Sequence, residues 1–414
     1  MSKEKIAMLT VMVLFGDSTL RADSLDHWAK RNSDGQTNTL NAVVFGNSLF
    51  VAVGDTILTS PDGTFWTPAK DAPAGLTGVA WGNDRYVAVG LDQTILTSSD
   101  GSNWTKQNGA RPDGTGVNLL GVGYGDGLFV AVGGTRSGHV TYPVLQSSPD
   151  GLSWTDHSPF VGANWNWFLD SVAQGNGQYI VAGTFGGVSS NGVDWVWPQD
   201  PVPDPYFPVS HNAFGNGTFV AVTTLGDIFM GGSWVQRGRE ADPNVKDRFS
   251  DVFYGHGHYI AVGLKLDDTV STNPVVAPLI KTSIDGANWI LRNVDALPPE
   301  KVPSYGPYVY PTLYGLSFGR NTFVAVGGRG TILQSDDVTE PAFLVREMER
   351  STDGSVRLGI QSSVGDSIIV ESSDDLASWM PLTTVTNLTG VVLVTDSGGQ
   401  NSRHRFYRAK LPAR

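Results

Sequence analysis

From Leu40 the chain places apolar residues in short runs separated by small and polar ones. Leu40-Asn-Ala-Val-Val-Phe-Gly46 is followed by Phe50-Val-Ala-Val-Gly54, then by Ile57-Leu-Thr-Ser60, and after a turn by Trp66. Runs this short, bounded by Gly, Asn and Asp, read as strands joined by tight turns. The same order returns at once from Leu76 to Trp104. The Val-Ala-Val-Gly segment then recurs as Val51 to Gly54, Val87 to Gly90, Val130 to Gly133, Ile180 to Gly183, Val220 to Thr223, Ile260 to Gly263 and Val324 to Gly327. Each block supplies four strands, and four-stranded units repeated about an axis are propeller blades.

A second marker fixes how the ring closes. Tryptophan follows a Ser-x-Asp-Gly turn at Trp66, Trp104, Trp154 and Trp289, with Asn191 replacing the aspartate before Trp195 and a Gly-Gly-Ser lead before Trp234. The last block ends at Ser335-Asp336-Asp337 with no tryptophan in register, whereas Trp28 stands upstream of the first block. The spacing therefore predicts an all-β fold. It is a seven-bladed β-propeller over 23–340, closed by an N-terminal outer strand, which leaves no sheet edge to aggregate. A linear solenoid gives no reason for the first strand to match the fourth of a unit.

These turns resemble the Asp-box repeats of sialidase-like and glycan-active propellers, and the repeat is similar to that of photosystem assembly-factor type propellers. The resemblance implies the fold. The turn has one residue fewer between serine and tryptophan than the usual box, and no sialidase-type arginine triad is visible. Asp62, Asp100, Asp150 and Asp285 read as acceptors of turn N–H groups, not as catalytic acids, and the repeated tryptophans read as inter-blade packing.

In a four-stranded blade, the first-to-second and third-to-fourth turns share one face. They are short here, as at Gly46-Asn47 and Gly82-Asn83. The opposite face carries the insertions 106–118, 134–143, 156–169, 197–210, 235–248, 264–278 and 290–312, and variable connections on a rigid ring are where binding and catalysis are expected. Trp165, Trp167, Trp197, Tyr206, Tyr305, Tyr308 and Tyr310 supply rings suited to stacking on sugars, with Arg136 and Arg248 as polar partners. Such rings serve equally to pack the loops onto the ring.

His139, Tyr142, Asp170, His211 and Asp251 are the catalytic candidates on this face. A histidine or tyrosine that removes the proton α to a uronate carboxylate, with an arginine neutralising that carboxylate, would make a polysaccharide lyase. Asp170 and Asp251 as paired acid and base would make a glycoside hydrolase. Carbohydrate binding without catalysis, a protein-interaction or assembly scaffold, and a hydrolase of another class such as an esterase are the alternatives.

Composition narrows these readings. The 414 residues include 50 glycines, 12 tryptophans and no cysteine, so disulfides and cysteine-ligated metals have no part. A net charge of −12 disfavours nucleic-acid binding. Residues 1–22 read as a secretory signal, with Lys3 and Lys5 before an apolar run from Ile6, so a secreted or periplasmic protein is expected, with no membrane span. His256-Gly257-His258 occupies a turn slot, and no cofactor is predicted, although Asp267-Asp268 would suit a structural calcium ion. The partner is a carbohydrate, another extracellular ligand or a protein, in an oligomeric state that the sequence leaves open. After the repeat, 343–414 reads as a small β-sandwich-like domain that resembles C-terminal modules of secreted proteins of environmental bacteria. Arg403, Arg405, Arg408, Lys410 and Arg414 make its end basic.

Overall fold

The computed structural model describes residues 24–31, 37–70, 72–111, 116–137, 140–159, 167–184, 186–197, 209–231, 235–238, 245–267, 275–294, 296–301, 312–338, 344–351, 353–361, 367–375, 378–387, 391–398 and 405–410. The chain divides into two compact units, one spanning Asp23–Val338 and the other containing Thr339–Arg414. The first unit is a β-propeller. Among the described residues it has seven antiparallel sheets, whose innermost strands are Leu40–Gly46, Leu76–Gly82, Val117–Gly125, Leu169–Gly175, Val209–Gly215, Val245–Gly255 and Leu313–Gly319. Each lies against the next in that order, and the last lies against the first. The outer strand of the seventh sheet is Trp28–Lys30, paired antiparallel with Ile332–Ser335 through Trp28 opposite Ser335.

Every first-to-second turn is a hairpin with positive φ at its centre, as at Asn47 and Ser48 (44° and 61°) or Asn216 and Gly217 (46° and 75°). This backbone follows the twist of the strands and favours Asn and Gly. His256 and Gly257 occupy the same slot at 47° and 77°, with the His256 ring stacked on Phe318 at 5.3 Å. That pair is therefore a turn.

The glycine ending each inner strand has a steric cause. A Cβ on Gly46 would lie 2.1 Å from Trp81 of the next blade, one on Gly82 2.1 Å from Tyr124, one on Gly175 2.0 Å from Phe214, and one on Gly215 2.0 Å from Tyr254. The series closes at Gly319, where the Cβ would be 2.2 Å from Phe45 of the first blade. Tyr86, Tyr179 and Tyr259 add a hydroxyl donated to the carbonyls of Gly46, Gly125 and Gly215 of the preceding blade. Burial, with Asp100 nearby, pushes Tyr86 up to about 12, so it remains a donor. The glycine of Val-Ala-Val-Gly answers a different contact, a bulge in the inner strand: a Cβ on Gly54 would lie 2.1 Å from the Thr39 carbonyl oxygen.

The Ser-x-Asp-Gly-x-x-Trp turns are scaffold. In the third blade Ser148 Oγ accepts from Gly151 N at 2.8 Å, Asp150 accepts from Leu152 N and Ser153 N at 2.8 and 3.0 Å, and Trp154 Nε1 donates to Gly151 O at 3.1 Å. The N–H groups of Ser153 and Leu152 hold Asp150 below the usual carboxylate range. Trp66 packs with Val324 and Ile332 of the neighbouring blade, and Trp28 with Ile260 and Val262. Trp234 lies outside the described residues.

Two insertions expected as loops are strands. In the third blade, Leu128–Ser137 and Val140–Ser148 continue five residue pairs beyond Val132 and Leu145. In the sixth, His258–Asp267 and Val275–Ser283 continue five pairs beyond Val262 and Ile280. At about 3.3 Å per residue each hairpin extends roughly 16 Å beyond the level of the last second-to-third strand pair of the other blades.

Among its described residues the second unit has two three-stranded sheets, Leu344–Arg350, Val356–Gln361 and Val391–Asp396 in one, and Met380–Thr386, Ser367–Ser373 and Phe406–Lys410 in the other. Val356, Leu358, Ile360, Ile368, Val370 and Tyr407 form its core. The basic end is partly neutralised. Arg405 pairs with Asp396 at 2.9 Å and Arg408 with Glu371 at 2.6 Å, the latter guanidinium also lying 4.4 Å from the Trp379 ring.

Gly215→Ala forces a methyl group into the Tyr254 ring. Overpacking of this kind costs about 1–3 kcal/mol, which a urea denaturation midpoint will show as a loss against the unaltered protein.

Candidate functional site

The bulge in each inner strand creates two special positions. The bulged residue is Asn41, Thr77, Leu120, Asp170, Ser210, Ser250 and Tyr314 in the seven blades, inferred from the register shifts. The residue after it is Ala42, Gly78, Gly121, Ser171, His211, Asp251 and Gly315. Small residues at the second position let adjacent strands approach closely: a Cβ on Gly121 would lie 2.3 Å from the Asp170 carbonyl oxygen, and one on Gly315 2.7 Å from Ala42 Cα. Ser171, His211 and Asp251 break that rule in three consecutive blades.

His211 Nδ1 is 2.7 Å from Asp251 Oδ1 and 3.3 Å from the Val252 carbonyl oxygen. Asp251 Oδ2 accepts from the Leu316 N–H at 2.8 Å. The carboxylate is thus held from both sides, and its side chain is 10% exposed against 38% for His211. Burial disfavours an imidazolium here, but Asp251, the Val252 carbonyl and Asp170 outweigh it and raise the His211 pKa above its ordinary 6.5.

Asp170 occupies the bulge itself. At the equivalent position Asn41, Thr77 and Ser210 donate to carbonyl oxygens of the next blade, Leu76, Leu119 and Phe249, at 2.7, 2.7 and 2.9 Å. A carboxyl standing where donors stand favours its protonated form. Burial pushes Asp170 up to about 7, although the nearby His211 charge acts to lower it. Ser171 Oγ is buried without a hydrogen-bond partner among the described residues. Ser171 was not singled out in the sequence, yet a signal existed. Leu169-x-Ser171, Val209-x-His211 and Phe249-x-Asp251 align with Leu40-x-Ala42 and Leu76-x-Gly78.

The remaining candidates are not drawn into this cluster by any described contact. Tyr142 and Arg136 lie on the third-blade hairpin, opposite Thr135 and Thr141, with Arg136 exposed. Arg248 is exposed on the sixth inner strand, opposite Leu264. Trp167 packs in the cluster of Val130, Leu145 and Leu169, its backbone N–H donating to the Thr141 carbonyl at 3.0 Å. Trp197 stacks on Trp195 at 5.9 Å and lies over Gly187, where a Cβ would be 2.6 Å from the ring. His139, Trp165, Tyr206, Tyr305, Tyr308 and Tyr310 lie outside the described residues, as does Asp268. Asp267 ends the sixth-blade hairpin, opposite Val245 and Val275.

The fold and these side chains define a β-propeller with a polar sector on its inner strands. No family model and no curated protein matches the chain. Solved structures do. YCF48 bound to a D1 peptide is 17% identical, with a TM-score of 0.49 over 76% of this chain and 97% of that one. The WD40 propeller domain of Doa1 is 11% identical, with a TM-score of 0.49 over 74% and 96%. The GH74 xyloglucanase from Xanthomonas campestris is 14% identical, with a TM-score of 0.52 over 81% of this chain and 59% of that one. These likenesses are of fold. Among the described residues no helix is long and apolar enough to cross a membrane.

Asp170 and His211 tie stability to pH in the same direction. The folded state holds the Asp170 proton between the unfolded value near 4 and about 7, so its stabilisation falls as pH rises through that window. The His211 contribution is complete below 6.5 and is lost as pH rises through its raised folded value. The urea midpoint should therefore fall from pH 5 to pH 8. Asp170→Asn should flatten that fall and be the more stable protein at pH 8.

Proposed function

We propose that the propeller binds and processes carbohydrate on the face that carries its long connections, at the sector formed by Asp170, His211 and Asp251. The observation that carries this reading is the His211–Asp251 pair at 2.7 Å, placed where four other blades have Gly or Ala. Polar side chains that replace small ones in a close-packed ring need a purpose, because packing alone favours the small residue. The sector lies on the fourth to sixth blades, and the third and sixth carry the two projecting hairpins. A ligand seated there meets hydrogen-bonding groups on rigid strands, an arrangement suited to sugar hydroxyls. Export to where such polymers occur, expected from residues 1–22, belongs to the same proposal.

A protein-interaction platform is the second reading. The exposed apolar side chains of the outer turns and strands favour it, with Phe65 at 77%, Val196 at 73% and Ile290 at 58%. Affinity electrophoresis through neutral and acidic polysaccharides separates the two. Retardation by at least one polymer is expected, weakened about tenfold when the hairpin 134–143 is replaced by a two-residue turn, or about 1.4 kcal/mol. No retardation by any polymer would overturn the carbohydrate reading.

A further inference from the structure

We infer that Asp170, His211 and Asp251 form a hydrolytic acid–base centre for a neutral glycan, an assignment that rests on the carbohydrate reading above. Asp251 Oδ1 lies 2.7 Å from His211 Nδ1 as an ion-pair contact, and its Oδ2 accepts from the Leu316 N–H at 2.8 Å. Asp251 is therefore a positioning residue, not the free carboxylate that a two-carboxylate glycosidase would use. It fixes the imidazole ring and leaves Nε2, which makes no hydrogen bond among the described residues, on a side chain still 38% exposed to water. A histidine oriented by a carboxylate and open to water has the arrangement of a general base. Asp170, at the bulge of the inner strand that lies against the one carrying His211, is the second proton carrier.

The roles follow from the environments. Asp251 strengthens His211 as a base, and the donor slot of Asp170 favours its uncharged acid form near neutral pH. In the step, His211 takes a proton from water as the water oxygen bonds to the anomeric carbon. The bond from that carbon to the leaving sugar oxygen breaks, and that oxygen receives the Asp170 proton. One water is consumed and one new reducing end is formed. Exchange with solvent returns both side chains to their starting states.

Charge selects the substrate. Asp251 on the sixth inner strand and Asp170 on the fourth are the charged groups that act on His211, and His211 is the one that acts on Asp170. No lysine or arginine pairs with them among the described residues, so with His211 in its base form the sector offers a bound carboxylate no cation. A uronate carboxylate would be repelled, and elimination next to it would lack the cation needed to stabilise the developing charge. The uronate chemistry considered from the sequence is thus the less suited, and a neutral polymer is the fitting substrate.

The test follows reducing ends released from the neutral polysaccharides that retard the protein, from pH 4 to pH 10. A bell-shaped rate with its maximum near neutrality is expected. Its acidic limb is set by His211 and its alkaline limb by Asp170. His211→Gln and Asp170→Asn should each lower turnover at least about 100-fold, a loss far larger than any weakening of retardation. Asp251→Asn, which can still accept from Leu316 N–H, should move the acidic limb to lower pH. Retention of a polymer with no reducing ends at any pH, turnover unchanged in the two variants, or unsaturated ends absorbing in the ultraviolet would each overturn this centre while leaving the binding reading intact. Absence of any retention would instead remove the carbohydrate reading itself.

Discussion

The ring depends on a missing atom. At the end of each inner strand there is no Cβ, and the side chain from the next blade lies against the bare backbone, as Trp81 does at Gly46 and Tyr254 at Gly215. Because each contact runs from one blade to the next, the set has a direction and succeeds only if it returns to its start, which it does at Gly319 and Phe45. The paired rings on the first two strands follow from it. Trp81 lies 4.3 Å from Tyr86, Phe214 4.8 Å from Phe219 and Phe318 4.6 Å from Phe323, so the side chain seated on one glycine is braced by its own blade. Where that second ring is a tyrosine, its hydroxyl ties the same glycine carbonyl, so one backbone position is fixed both by van der Waals contact and by a hydrogen bond.

A scaffold this demanding makes exceptions informative. After the bulge, close approach of neighbouring strands calls for Ala42, Gly78, Gly121 or Gly315, and any larger side chain must occupy the space between strands. Asp251 does so with Oδ2 accepting from the Leu316 amide, and His211 with Nδ1 2.7 Å from Asp251 Oδ1, each contact crossing to the following blade. Ser171 fills the matching place in the fourth blade with its hydroxyl unpartnered among the described residues. Three polar residues in succession make a polar arc on a ring otherwise built for packing.

Much of the fold was legible because its causes are local. Glycines at strand ends, Asn-Gly turns and the Ser-x-Asp-Gly-x-x-Trp motif each act within a few residues or at a fixed repeat offset, so they leave a periodic trace in the sequence. The hairpin over 134–143 left none, since Thr135, Arg136 and Thr141 become strand residues only by pairing across the turn. Trp197 read as a rim ring because its neighbours are prolines and acids. Its partner is Gly187, ten residues earlier, and only the chain's path shows that the indole lies over it. The same holds for Arg405 and Arg408, whose basic run looked like a positive surface until Asp396 and Glu371 came beside it. His211 and Asp251 stood out as titratable residues, but their contact is set by the blade-to-blade step, and it emerges from sequence only when the position after each bulge is aligned across blades.

The closing strand and the polar sector are also mechanically linked. Trp28 donates its indole N–H to the Leu25 carbonyl at 2.9 Å, and both side chains belong to one buried cluster with Ile260, Val262, Leu313 and Leu316. Leu316 carries the amide that holds Asp251, and Asp251 in turn holds His211. The strand that seals the ring without a covalent turn therefore supports, through packed apolar side chains, the backbone group on which the imidazole orientation rests. Ring closure and the geometry of the polar sector thus draw on one buried apolar cluster.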